Sequence, residues 1–201
     1  MKGKNNNADG DSQGAAPLGP PEAFQPQSPA IDPKTTAFIG LGANLGDLPA
    51  NLAAARRAIG GLPGLAIIAA STVYRTEPQG VRGQPWFVNQ VIAVSYDATW
   101  TASRLLAALL GIEAGLGRVR KREGGERFGP RPIDLDLLLF GGQVMDTPEL
   151  VLPHPRLRER AFVLVPLAEL AADLVFPDGE RIGDALAKIA FQARGNVIGQ
   201  H

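Results

Sequence analysis

The chain has 201 residues and sets 20 Lys and Arg against 20 Asp and Glu. Its formal charges cancel, so no overall electrostatic case exists for a nucleic-acid or membrane-surface partner. Cysteine is absent and the two histidines are His154 and His201, which excludes disulfides, thiolate nucleophiles, Cys-bound zinc and imidazole-rich metal sites. No apolar run approaches the roughly 18 residues of a membrane span, and Lys2 and Lys4 are followed by Asn5, Asn6 and Asn7, not by a signal-peptide core. A cytoplasmic monomer with no membrane and no nucleic-acid partner is expected.

Residues 1–34 are rich in Pro and Gly, with Leu18, Phe24 and Ile31 the large apolar side chains after Met1. Such a segment buries too little apolar surface to offset the entropy of ordering its backbone, and a disordered extension is expected there. Residues 35–201, in a chain that is 45% apolar, make one domain of ordinary size. Thr36 to Ile39 reads as a short strand closing on Gly40. Asp47 then caps a helix through Leu52, Ala55 and Ile59 that stops at Gly60 and Gly61. Leu65 to Tyr74 is a second strand and Phe87 to Tyr96 a third, with a Pro/Gly loop between them. Thr101 opens an amphipathic helix with Leu105, Leu106, Leu109 and Ile112 on one side, failing at Gly115 to Gly117. A polar loop leads to Ile133–Phe140, the most strand-like segment. Gly141 and Gly142 turn the chain into an edge hairpin at Gln143–Met145. Short helices around Glu159–Leu170 and Ile182–Phe191 complete the chain.

The order is strand, helix, strand, strand, helix, strand. Two helices serving four strands cannot cover both faces of a sheet, which disfavours a doubly wound fold. The expected fold is an α+β sandwich of the ferredoxin-like kind. Its antiparallel or mixed sheet carries helices on one face, with later helices partly covering the other.

The most informative run is Arg127 to Leu138. Side chains two apart on a strand share a face, so Asp134 and Asp136 present their carboxylates side by side. They follow a loop holding Arg118, Arg120, Lys121, Arg122, Arg127 and Arg131 against Glu123 and Glu126. Hard oxygen ligands beside forked guanidinium donors suit a Mg²⁺-polyphosphate. The competing structural reading is a pair of strand-end aspartates bridged to arginines. Aliphatic flanks weigh against it, because two carboxylates in a buried strand need a cation or strong donors. Gly124 and Gly125 give this loop the freedom a lid requires, and a flexible surface loop whose charges face water is the equal alternative.

Upstream, Gly40-Leu41-Gly42 to Asp47 has neither the dinucleotide-binding spacing nor the Gly-Lys-Ser/Thr ending of a phosphate loop, and taken alone reads as a tight turn. Phe87 and Asn89 share a strand face and offer stacking and paired hydrogen bonds to a flat heterocycle, although Phe87 alone reads as core. Pro153-His154-Pro155, with Arg158, Arg160 and Phe162 after it, offers a weaker phosphate and ring contact.

Taken in order from about Thr36 to Phe176, these segments resemble the 6-hydroxymethyl-7,8-dihydropterin pyrophosphokinases of folate biosynthesis. The likeness rests on Ile39 to Asp47, Ser71 to Pro78, Pro85 to Asn89, Ile112-Glu113, Leu116 to Arg118, the Gly129 to Asp136 signature, Leu152 to Pro155 and Arg160 to Phe162. The resemblance implies a ferredoxin-like fold and transfer of pyrophosphate from ATP, the co-substrate, to the pterin's hydroxymethyl group, releasing AMP. It also implies two Mg²⁺ ions on Asp134 and Asp136, and Phe87 and Phe162 on either side of the pterin. Asn89, Gly42 and the stretch Thr76, Glu77, Pro78 and Gln79 would meet the pterin's edge. Arg118, Arg120, Arg127, Arg131, His154 and Arg160 would hold phosphates or close the lid, with Glu113, Ile133, Leu135 and Arg158 around the nucleotide. Leu110 stands where family members often place Gln, Phe128 where Trp is frequent, and Pro155 where some have Tyr.

Two other classes remain open to the residues alone. A ferredoxin-like RNA-binding module would need a net basic domain, against the even charge balance. A metal-dependent glycosyltransferase would use Asp-x-Asp to hold a nucleotide sugar.

Overall fold

The protein is described by a computed structural model over residues 31–78, 83–118 and 129–200. β1 (Thr36–Ala43) alternates its side chains between two cores. Ala37, Ile39, Leu41 and Ala43 enter one, and Phe38 enters the other. α1 (Leu48–Gly60) starts where the Asp47 carboxylate accepts the Ala50 N–H at 3.0 Å, with Pro49 in the first turn where no helical partner is lost. Leu52, Ala55 and Ile59 form its buried stripe.

β2 (Leu65–Ala70) and β3 (Tyr74–Thr76) are two strands where the pattern predicts one. Ser71 makes the join. Its N–H donates to Val91 O at 2.9 Å and its hydroxyl accepts the Val91 N–H at 3.0 Å, so the ladder continues while the chain changes direction. β4 (Phe87–Tyr96) has the expected bounds and is the centre of the sheet. It pairs antiparallel with β1 along one edge, and with β2 and then β3 along the other. α2 (Ala102–Gly115) is capped by the Thr101 hydroxyl, which accepts the Arg104 N–H at 3.2 Å. β5 (Asp134–Phe140) then pairs antiparallel with β1.

The expected edge hairpin is a separate two-stranded sheet, β6 (Met145–Asp146) with β7 (Val151–Leu152). The helix expected around Glu159 is a 3₁₀ turn (Leu157–Glu159) followed by α3 (Ala161–Leu170). Past α4 (Ile182–Ala187) the chain leaves the helix before Phe191. It forms β8 (Phe191–Arg194) and β9 (Val197–Gln200), a hairpin that the sequence reading does not contain. Gly195, at φ 56°, supplies its turn. β9 joins the main sheet by parallel pairing with β3, so the order is β5-β1-β4-β3-β9-β8, with β2 on the far half of β4.

The helices divide as expected. α1 and α2 cover one face through Leu52, Ile59, Leu105 and Leu109; α3 and α4 cover part of the other through Val163, Leu164, Leu167 and Ile182. Each such fully buried aliphatic side chain contributes about 1.5–3 kcal/mol. No helix among the described residues is long and apolar enough to cross a membrane.

Candidate active site

On the α3 face, three neighbouring strands leave a trough. Gly42 of β1 lies opposite Asn89 of β4 on one side and Asp134 of β5 on the other; two residues along, Gly40 lies opposite Val91 and Asp136. The central strand therefore contributes bare backbone, with carboxylates along one bank and Phe87 and Asn89 along the other. A Cβ on Gly42 would stand 2.9 Å from Asn89 Oδ1, closer than side-chain carbons come. The two glycines form a floor inside a strand; the expectation of a turn at Gly40 is corrected, because the strand runs on to Ala43. Together with Thr76, Glu77, Gln84 and Phe162, these residues line a cleft of about 770 Å³, its open mouth included.

Guanidinium groups surround the acid bank. Arg118 makes a short ion pair with Asp134 and another with Glu113. Arg131 Nε lies 2.9 Å from Asp134 Oδ2 without the angle of a hydrogen bond, and Arg160 Nη1 lies 3.4 Å from Asp136 Oδ2. Burial raises the Asp136 carboxyl above the ordinary carboxylate range and repulsion from Asp134 adds to this, while Arg160, Arg118 and Arg131 oppose it. Burial lowers Arg160 despite Asp136, and its Nε is buried without a hydrogen-bond partner. A divalent cation between the acids would relieve that repulsion, and an anion would satisfy the arginine. Mg²⁺ commonly takes one or two carboxylates and completes its shell with water and phosphate oxygens, so the donors fit it. Among the described residues no group of three or more His, Cys, Asp or Glu could hold a metal, which leaves the pair short of a closed protein cage.

Some side chains hold the site without lining it. Glu113, 1% exposed, accepts the Leu135 N–H at 2.7 Å and pairs with Arg118, so α2 fixes both the start of β5 and the arginine on Asp134. Asn44, which the sequence reading passes over, accepts the Arg131 N–H at 2.8 Å and donates to Gln84 Oε1 and Pro85 O at 3.3 and 3.4 Å. It joins the two loops at the mouth, and nothing in the sequence marks its amide as buried. Asn89 donates to Thr76 Oγ1 at 2.7 Å, bracing the aromatic bank.

Not all expected site residues come together. Ile133 and Leu135 point into the α1–α2 core, at 0% and 2% exposure, so their side chains do not reach the trough. Arg158 turns away to Asp178, at 2.5 and 2.8 Å, and to Glu180 at 2.8 Å. Pro78 is beside the cleft residue Glu77 without lining the cleft itself. Leu110 is exposed on α2. Gln79, Arg120, Arg127, Phe128, Gly124 and Gly125 lie outside the described residues.

The His154 ring accepts the Arg156 backbone N–H on Nδ1 at 3.2 Å, and the His154 backbone N–H donates to Leu138 O at 2.9 Å. Burial first, then Arg160 and Arg156, lower its pKa to about 4 from 6.5. A histidine depressed on folding binds fewer protons folded than unfolded, so the stability it supports is full above pH 6.5 and lost as pH falls toward 4. His154→Asn keeps an acceptor for Arg156 and removes the titration. Between pH 7 and 4.5 the wild-type melting temperature should fall about 3 °C further than the variant's. Equal falls, measured by circular dichroism, would contradict the assignment.

A carboxylate pair for a hard cation, guanidiniums for phosphate oxygens and an aromatic-walled slot on an α+β sandwich suit an enzyme of phosphate transfer to a flat-ring acceptor. Residues 38–172 match the family model of 7,8-dihydro-6-hydroxymethylpterin-pyrophosphokinase (HPPK), and the chain belongs to that family. It is 49% identical over 155 residues to the 2-amino-4-hydroxy-6-hydroxymethyldihydropteridine pyrophosphokinase of Methylorubrum extorquens, covering 77% of this chain and 94% of that one. The protein of the same name from Pseudomonas aeruginosa is 43% identical over 155 residues, covering 77% of this chain and 92% of its own. Among solved structures, a crystal structure of an HPPK-DHPS in complex with substrates superposes with TM-score 0.57 at 12% identity, over 83% of this chain and 48% of that one. At that identity the likeness bears on the fold, and it agrees with the ferredoxin-like α+β sandwich.

Proposed function

We infer that this chain transfers pyrophosphate from ATP to the hydroxymethyl group of 6-hydroxymethyl-7,8-dihydropterin, a step of folate biosynthesis. Family membership supports the reaction, and one observation carries the site: the Asp134–Asp136 bank faces Phe87 and Asn89 across the glycine floor of a single strand. The hydroxymethyl oxygen forms a bond to the β-phosphorus of ATP. The bond from that phosphorus to the oxygen bridging it to the α-phosphorus breaks, AMP leaves with the bridging oxygen, and the alcohol proton passes to solvent.

Asp134 and Asp136 would hold Mg²⁺, and we assign them two ions. Bound there, Mg²⁺ supplies charge neutralisation on the phosphates and acidity at the attacking hydroxyl. Phe87 and Phe162 stack the pterin, while Asn89 and Thr76 meet its edge. Arg118, Arg131 and Arg160 pair with the acids in this structure; with ATP bound they turn to its phosphate oxygens, where forked donors match the geometry. His154, neutral at pH 7, adds a donor beside Arg160 without adding charge. Arg120 and Arg127 lie outside the described residues, in the loop read from the sequence as a lid that would exclude water from the phosphates. The working unit is residues 35–201, with residues 1–34 as an extension. The enzyme is read as a cytoplasmic monomer, and the balance of 20 basic against 20 acidic residues supports a small-molecule enzyme over a nucleic-acid binder.

Incubation with ATP, Mg²⁺ and the pterin should yield AMP in step with pterin pyrophosphate; ADP, or no nucleotide turnover, would refute the reading. Phe87→Ala should raise the pterin KM about 10-fold through lost stacking and leave the ATP KM nearly unchanged. Equal losses for both substrates in steady-state kinetics would contradict the stacking role.

A further inference from the structure

The residues matched by the family model end at 172, yet the hairpin beyond them joins the main sheet beside β3. α3 begins badly for a helix. Its N-cap is Arg160, whose side chain carries no oxygen to accept an amide proton and makes no cap, and the preceding 3₁₀ turn has no side-chain cap either. The missing acceptor comes from β9. Gln200 Oε1 accepts the Ala161 N–H at 2.8 Å, and Gln200 Nε2 donates to Glu159 O at 2.7 Å.

One amide thus clamps the backbone on both sides of Arg160. That guanidinium faces Asp136, and two residues on, Phe162 lines the cleft. The strand bearing the amide is itself fixed. Ile198 is 2% exposed and pairs with Thr76, the residue that braces Asn89 on the opposite bank. β9 therefore spans from the aromatic bank, through Thr76, to the corner that aims Arg160 and Phe162.

We propose that Gln200 is a positioning residue for the pterin pocket, setting the α3 entry so that Phe162 and Arg160 meet bound substrate. The proposal rests on the pyrophosphokinase reading. A structural cap alone would alter stability and leave substrate preference untouched. A positioning role shifts the pterin KM more than the ATP KM, since Phe162 serves the pterin alone while Arg160 shares the phosphates with Arg118 and Arg131, which sit on different segments.

The test compares full-length wild type with Gln200→Met, which keeps the length and loses the side-chain bonds to Ala161 and Glu159, and Gln200→Glu, which keeps the acceptor for Ala161. Gln200→Met should raise the pterin KM about 5-fold, with the ATP KM changed less than about 2-fold, the size expected for losing one cap. Gln200→Glu should recover most of that loss. An unchanged pterin KM in Gln200→Met, equal shifts for both substrates, or a Gln200→Glu enzyme as impaired as Gln200→Met would each overturn the proposal. Absence of AMP formation by the wild type would instead refute the underlying reaction. Folding is checked separately by the melting temperature, where a lost cap accounts for about 3 °C.

Discussion

Asp136→Asn should reduce turnover by about a thousandfold or more while the protein stays folded. The carboxylate sits where burial and Asp134 both disfavour its charge, with Arg160 opposing them. A group whose folded pKa is raised favours folding when protonated and costs stability once ionised, from its unfolded value upward. At pH 7 the neutral amide avoids that cost and forgoes the pairing with Arg160. The melting temperature should therefore stay within about 3 °C of wild type or rise. Loss of turnover with stability kept marks a group retained for chemistry. Near-normal turnover in saturating Mg²⁺, measured as AMP release, would show Asp136 to be only an ion-pair partner.

Gly42→Ala should raise the pterin KM about 100-fold, whereas Gly40→Ala should change it less than about 5-fold. Both glycines lie in the same strand, and neither has the positive φ that only glycine favours. Backbone strain therefore cannot separate them; the space above each can. A Cβ on Gly42 meets Asn89 Oδ1 at 2.9 Å and is 3.9 Å from the Asp134 Cβ, so it displaces the amide that braces Thr76 and fills the floor of the trough. A Cβ on Gly40 meets the Leu138 methyls at 3.6 Å, an ordinary contact. Comparable KM values for the two variants would contradict the floor assigned to Gly42.

These glycines also show where the sequence was readable and where it was not. The helices α1 and α2 were legible because each carries its own apolar stripe and an Asp47 or Thr101 cap, and the strand β4 because its bulky apolar residues follow a Pro/Gly loop. Gly40 and Gly42 look like a turn in isolation. Only pairing with β4 on one side and β5 on the other makes them a strand, and that pairing is a tertiary fact. The break at Ser71 was hidden for a similar reason, since a side-chain hydroxyl stands in for a ladder partner on β4. The β8–β9 hairpin has strands of four residues each, too short to show a period, and it joins the sheet through β3.

For the site, the two-residue strand period placed Asp134 and Asp136 together. The same period puts Ile133 and Leu135 on the opposite face, where they are core. The family resemblance had set them near nucleotide; strand geometry alone would have kept their side chains away. Arg158 and Arg160 diverge because a 3₁₀ turn ends between them, a boundary that composition does not mark.

The acid pair can be tested independently of catalysis by counting Mn²⁺ ions bound, by electron paramagnetic resonance, in the presence of the pterin and an ATP analogue that cannot transfer its pyrophosphate. The expected result is two ions per wild-type chain and loss of that binding when Asp134 and Asp136 are both changed to Asn. Undiminished Mn²⁺ binding in the double variant would contradict the placement of the metal on these two side chains.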